Sequence, residues 1–335
     1  MDNKDHNSSE KNQNIFVPDF DLSDRLAMLP MHPVREKFYT VPTKSLEAIY
    51  SIVYERVSAR RTGLCFHAIP RSGKTTALAY VKDRLQNDFP TIVIARVDSR
   101  ASSRPSFSHM FMLLLESWDH ALSKRSNPDI LFMNCIADAL VRISAKRGSH
   151  LVLLIDEMQL LSPTDLMQLL VFHNALEAKK IKLTTISFAQ PEILHRRTAL
   201  LASKERQIIA RFLSEPIEFH GCSSAEELKH ILSIFDEKSE FPEGSSWSYT
   251  KFFVPKAFQN GFRLKKYFKQ IWEAMLASAI ELDDGSIPME HVMLVVEHCL
   301  VSAFRFDDAS FELSNEDIDA AMSSANLAEF SSMMQ

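Results

Sequence analysis

Cysteine is scarce and scattered through this chain. Its four cysteines, Cys65, Cys135, Cys222 and Cys299, form no C-x-x-C pair, which removes the usual ligand spacing of a zinc site and the framework of a disulfide-stapled fold. They read as reduced, buried, small hydrophobes. Long hydrophobic runs are missing too, so nothing predicts a membrane span. Positive charge is in deficit: 38 basic against 43 acidic residues give a net charge of −5. A dedicated DNA-binding domain is usually strongly basic, so contact with nucleic acid here requires a local patch. Residues 1–14 lack the apolar core and small-residue cleavage site of a secretory signal, which predicts a chain that stays in the cytoplasm. Internal repeats and low-complexity tracts are not evident.

What is present fits one large α/β unit followed by a smaller one, since single cores stop growing at about 250–300 residues. The polar stretch 1–14 predicts a disordered tail, and 15–42, with Phe16, Phe20, Leu22, Leu26 and Leu29 among several prolines, predicts an extended arm lying on a surface, a neighbour's included. From 43 to 221, short apolar runs alternate with helical patterns. Strands are expected over 63–67, 91–97, 151–155, 182–188 and 216–219, and helices from 43, over 106–123, 129–147, 198–213 and from Ser162-Pro163 to about Lys180. Such alternation implies a parallel sheet covered on both faces. Beyond Gly221 the strand signal stops. Ser224-Ala225-Glu226-Glu227 opens a helix as a capping box, and 262–280 and 288–304 continue a helical domain over 222–306. Asp307, Asp308, Glu312, Glu316, Asp317 and Asp319 then predict an acidic tail over 307–335.

Chemistry concentrates in two segments. Ala68-Ile69-Pro70-Arg71-Ser72-Gly73-Lys74-Thr75, continued by Thr76, follows an expected strand and opens an expected helix, the context of a phosphate-binding loop. Successive N–H groups of 71–76, just past Pro70 and at a helix N-terminus, cradle phosphates, Lys74 reaches the β/γ oxygens and the Thr75 hydroxyl ligates Mg²⁺. Alanine stands at 68 where such loops usually carry their first glycine, a change tolerable if its φ stays negative. Leu151-Val152-Leu153-Leu154-Ile155-Asp156-Glu157 is an apolar strand ending in two acids. Asp156 suits Mg²⁺, and Glu157 suits the polarisation of an attacking water. The pair of motifs specifies an NTPase that takes ATP and Mg²⁺.

Downstream, Gln190, with Ser187 in reserve, ends a strand where a γ-phosphate sensor belongs. Arg206 and Arg211 lie on the helix from which a subunit can reach a neighbour's nucleotide and make hydrolysis depend on assembly. Arg263, or else Lys265 or Lys266, opens a helix in the second domain and suits a second phosphate sensor. Arg96, Arg100 and Arg104 flank the end of the second strand, and Lys146-Arg147 precede the third. In a ring these loops are candidates to face a pore and grip DNA phosphates.

Taken together, the chain resembles AAA+ P-loop NTPases with a small helical lid. Ile69-Pro-Arg-Ser-Gly-Lys-Thr-Thr76, Leu154-Ile-Asp-Glu-Met-Gln159, Ser187-Phe-Ala-Gln-Pro-Glu192 and Ile209-Ala-Arg-Phe-Leu-Ser-Glu-Pro-Ile217 resemble the TniB/TnsC family of transposition ATPases, over about 60–230. That resemblance implies ATP-bound subunits forming rings, heptamers among them, or filaments around double-stranded DNA. It also implies a relay between a TniQ-type target selector and a TnsA/TnsB-type transposase in a Tn7-like, CRISPR-associated or other, element. Competing expectations are a DnaA/DnaC-like initiator or helicase loader, and a nucleotide-gated scaffold without turnover.

Overall fold

The computed structural model describes residues 19–102, 106–121, 123, 127–279, 282 and 285–334. Helices α1 (Leu22–Met28) and α2 (Pro33–Glu36) precede α3 (Lys44–Ser58). An α/β series follows: β1 (Leu64–His67), α4 (Lys74–Asp88), β2 (Val93–Asp98), α5 (His109–Glu116), α6 (Pro128–Ala145), β3 (His150–Asp156), α7 (Pro163–Ala178), β4 (Lys182–Ala189), α8 (Glu192–Ala202), α9 (Arg206–Phe212) and β5 (Pro216–Glu218). The chain closes with α10 (Ala225–Glu237), α11 (Tyr249–Phe253), α12 (Pro255–Gln259), α13 (Phe268–Ser278), α14 (Met289–Ala303), α15 (Asn315–Ala325) and α16 (Leu327–Met333).

All five strands run parallel in the order β2-β3-β4-β1-β5. Strands β1 and β3 are buried at every position, as expected when helices cover both faces. On one face Leu64, Phe66, Val152, Leu154 and Phe188 pack against α3 and α4 through Val53, Val57, Leu78 and Val81. On the other, Cys65, Ala95, Leu151, Leu153 and Ile155 meet Leu114, Cys135, Leu169 and Phe212 from α5, α6, α7 and α9. No helix among the described residues is long and apolar enough to cross a membrane.

The structure departs from the sequence reading in three places. The tail 1–14 lies outside the described residues, but 19–42 is not an extended arm. Asp21 and Asp24 cap α1 reciprocally, and the segment is docked on the chain's own helical unit. Phe20 meets Trp247 at 5.1 Å, and Arg25 donates to the Phe252 and Phe253 carbonyls at 3.0 and 3.2 Å. His32 lies among the rings of Phe241, Tyr249, Phe252 and Phe253. Residues 307–334 are likewise not a bare acidic tail. Glu316 and Asp319 are exposed on α15, and Asp307, before it, faces Arg25 at 3.4 Å, while Ile318, Ala321, Met322 and Ala325 recur at helical spacing and join the same core as Val292, Val295 and Cys299 of α14; charge masked an amphipathic helix. Finally, the helix expected over 198–213 is two, broken at Lys204 with φ 64°.

The sheet unit and the helical unit join at Gly221. Cys222 and Ile287 exchange backbone hydrogen bonds of 2.8 Å, and a Cβ at 221 would stand 2.1 Å from the Ile287 carbonyl oxygen. Gly221→Ala is expected to lower stability by about 1–3 kcal/mol, read as a lower denaturant midpoint; an unchanged midpoint would show that this seam tolerates separation. Burial holds the His32 pKa at about 3, against an ordinary 6.5. Between those values the unfolded chain binds a proton that the folded one refuses, so stability falls as pH falls through that window. The loss of thermal midpoint between pH 7 and pH 4 is therefore expected to be smaller in His32→Asn than in the wild type, and equal losses would remove His32 from the account.

Candidate nucleotide site

In a parallel sheet the loops after the strands gather at one edge. Here the loop after β1, the acids ending β3 and the residue after β4 meet because β1 and β3 both pair with β4, in the order β3-β4-β1. The Thr75 hydroxyl donates to Asp156 Oδ2 at 3.0 Å. Lys74, nearly buried, donates through Nζ to the Ala68 and Ile69 carbonyls, both at 3.1 Å. Positive φ falls on Arg71 (65°) and Gly73 (95°), and Ala68 is not among the positive-φ residues, so the methyl at 68 is accommodated.

Glu157 takes a left-handed backbone, φ 52°. Its Oε2 accepts from the Gln190 side-chain amide at 3.0 Å and from the Gln159 amide, and Gln159 Oε1 accepts from the Gln190 backbone N–H at 3.0 Å. Gln190 is thus brought to the site, while Ser187 is buried and donates to the Leu64 carbonyl at 3.1 Å. Gln159 was missed as a contributor, although it stands three residues beyond Asp156 in the quoted motif.

A cavity of 460 Å³ opens above the loop, lined by 70–76, Glu157 and Gln190, within the range of about 300–1,000 Å³ usual for small-ligand sites. Its far wall comes from segments the sequence reading left out. Tyr39 and Val41 of the arm, Leu46 and Ile49 of α3, Phe219 and His220 after β5, and Met293 and Glu297 of α14 all face it. Tyr39 donates to Glu297 at 2.8 Å. No short-range sequence pattern marks these residues, because they meet only when the helical unit closes on the sheet. There the Glu290 N–H donates to the Arg71 carbonyl at 3.0 Å, the Arg71 guanidinium lies 3.7 Å from the Glu290 carboxylate, and Met289 approaches Gly73.

Other expected site residues lie elsewhere. Arg263 donates to the Phe258 and Phe262 carbonyls at 2.8 and 2.6 Å and stacks over the Phe258 ring; it does not line the cavity. Lys265 pairs with Glu237 and Lys266 donates to the Gly261 carbonyl. Arg211 is 3.4 Å from Glu177, and Arg206 is exposed at the start of α9. Arg96 turns to Asp98 at 2.8 Å and Asp156 at 3.6 Å rather than outward, and Arg100 pairs with Glu116. Arg104 lies outside the described residues. Lys146 and Arg147 precede β3 and so sit at the opposite edge of the sheet from Arg100, which follows β2. The strands between them span about 20 Å, so the two loops stand as separate candidates at opposite ends of the sheet.

With that geometry in view, residues 58–197 match the family described as an AAA domain. The fold is that of an AAA+ P-loop NTPase. The ORC2 protein of Aeropyrum pernix in ADPNP–ADP complexes has a similar structure. The TM-score is 0.58 at 13% identity, over 88% of this chain and 71% of that one. Its ADP form gives 0.54 at 14% identity, over 85% and 69%. No curated protein matches this chain. The matched span takes in β1 to β4, and β5 and the helical unit lie beyond it.

The residues present fit a Mg²⁺-nucleotide. The loop backbone approaches through a glycine with positive φ, a buried ammonium points at its own carbonyls, and a hydroxyl and a carboxylate stand together. Burial raises the Asp156 pKa above the ordinary carboxylate value, opposed by the Thr75 hydrogen bond, and lowers that of Lys74, opposed by Glu157 and Asp156. A cation displaces any proton on Asp156, so Mg²⁺-nucleotide affinity is expected to weaken on acidification from a higher pH than an ordinary aspartate would give. Calorimetric titration across pH checks this, and Asp156→Asn flattens the dependence.

Proposed function

We propose that the chain is an ATP-dependent regulator of DNA transposition that assembles on double-stranded DNA and relays between a TniQ-type target selector and a TnsA/TnsB-type transposase. The convergence of Thr75, Asp156, Glu157 and Gln190 at the mouth of one cavity carries the ATPase part of this reading. The motif resemblance over about 60–230 carries the transposition part.

In the proposed chemistry, backbone N–H groups of 71–76 bind the phosphate chain, and Lys74 leaves the Ala68 and Ile69 carbonyls to engage it. Thr75 and Asp156 would hold Mg²⁺, which when bound draws charge from the phosphate oxygens. Glu157 orients and deprotonates the attacking water, and the Gln190 and Gln159 amides fix where its carboxylate points. Charge developing on the phosphoryl group is then countered by a neighbour's arginine. Arg206 is the better candidate. It is exposed, whereas Arg211 is tied to Glu177 and its carbonyl accepts from Gly63 N–H just before β1, at the sheet edge away from the cavity.

Electron microscopy with double-stranded DNA is expected to show rings or filaments with a slowly hydrolysed ATP analogue and not with ADP. Lys74→Ala is expected to lose nucleotide binding and assembly together, and Arg206→Ala to bind nucleotide yet lose at least tenfold in DNA-stimulated turnover. Assembly with neither nucleotide would reject the regulator reading, and recruitment of a helicase in place of a transposase would reassign the partner.

A further inference from the structure

The edge of the sheet opposite the cavity carries a sequence recurrence. Helices α3, α6 and α7 each run out into alanine followed by two cations: Ala59-Arg60-Arg61, Ala145-Lys146-Arg147 and Ala178-Lys179-Lys180. Their chains then enter β1, β3 and β4, which are neighbours in the sheet. The three turns are stitched together: Arg60 Nη1 donates to Ser149 Oγ at 3.0 Å, Thr184 Oγ1 to the Arg61 carbonyl at 2.6 Å and Lys182 N–H to the Ser149 carbonyl at 2.9 Å. All six cations are exposed, and none joins an ion pair among the described residues. The nearby Glu177 is already engaged by Lys182 at 3.1 Å and Arg211 at 3.4 Å.

Helix capping does not account for this. Three helix C-termini present about −0.5 charge each, about −1.5 in all, against six positive charges. One cation in each turn also takes the left-handed position past the helix end, with φ of 50° at Arg60, 53° at Arg147 and 62° at Lys180, where glycine is the unstrained choice. Apart from the buried Ile181, the turns are otherwise built of small or polar residues, among them Ser58, Thr62, Gly63, Ser144, Gly148 and Ser149, and no exposed large hydrophobic side chain lies in them. That composition lacks the apolar wedge of a membrane-surface binder and the apolar core of a protein interface, and it matches the polar, positive surfaces that meet nucleic acid. Three adjacent strands span about 10 Å, and about 10 Å of duplex axis carries about six phosphate charges.

We propose that this edge, through Arg60, Arg61, Lys146, Arg147, Lys179 and Lys180, is a sequence-independent binding surface for the phosphates of double-stranded DNA. It is separate from the nucleotide cavity and works without nucleotide, so it does not rest on the ATPase reading. The serine and threonine hydroxyls of the turns add polar contacts beside the cations, and the rigid strands hold the cations in place.

The test is fluorescence anisotropy of the full chain with a fluorescein-labelled mixed-sequence duplex, without nucleotide. With six contacts, affinity is expected to fall about 10³-fold between 50 and 200 mM salt. Arg60→Gln/Arg61→Gln and Lys179→Gln/Lys180→Gln are each expected to bind at least tenfold more weakly at 50 mM and to lose only about 10²-fold over the same range. Both paired variants keep the thermal midpoint and the ATP affinity of the wild type. Wild-type affinity and salt slope in the paired variants would overturn the proposal, as would displacement of the duplex by polyglutamate or by phosphatidylserine vesicles at equal charge. Lys74→Ala separates the two readings: loss of ATP binding with duplex binding intact supports this surface, and loss of both overturns its independence.

Discussion

Parallel pairing of β1, β4 and β3 is the constraint on which the site depends. Leu64 stands opposite Ile186 and Leu154 opposite the same residue, so the ends of three strands reach one level and deliver Lys74, Asp156, Glu157 and Gln190 to a single edge. A slip of one residue in any of them would turn its side chains to the other face and part Thr75 from Asp156. Full burial of β1 and β3 makes such a slip costly, because each inward residue is matched to a helix on its own face. The chemistry is therefore held by the hydrophobic core rather than by the polar contacts at the site.

The cavity is closed by the helical unit, and the same constraint acts there at second hand. Backbone pairing of Cys222 with Ile287 just past the Gly221 seam, together with the Glu290 N–H bond to the Arg71 carbonyl, sets α14 so that Met289 and Glu290 meet the phosphate loop. His291, one residue on, donates from Nδ1 to the Ala325 carbonyl at 2.8 Å, and Arg71 lies over the Phe330 ring of α16. The phosphate loop thus touches the last helices of the chain through one arginine. Any ligand that moves Arg71 or Glu290 biases how the helical unit and the docked segment 19–42 sit, which is the differential contact a nucleotide-dependent switch needs.

The α/β series and the residues that meet at the cavity's loop were legible because their signals are local: apolar runs of strand length, a loop between strand and helix, two acids at a strand's end. What escaped was set by tertiary packing. Tyr39, Phe219, Met293 and Glu297 share a cavity wall but come from segments far apart in sequence. Arg263 looked apt at a helix start, but the helix there begins at Phe268 after a tighter turn from Leu264 to Tyr267, and its guanidinium is taken by neighbouring carbonyls. Lys146-Arg147 and Arg100 all border β-strands, and direction along parallel strands sets them at opposite ends of the sheet. The amphipathic spacing of Ile318, Ala321, Met322 and Ala325 was readable and was outweighed by the acids beside it.

The central claim is that the edge formed by β1, β4 and β3 binds a nucleotide and that Glu157 activates water there. The most direct test measures ATP binding and single-turnover hydrolysis in Glu157→Gln beside the wild type. The account predicts that binding persists within a few-fold while hydrolysis falls by at least about 10²-fold. Hydrolysis at the wild-type rate would take the catalytic base away from Glu157 and contradict the account.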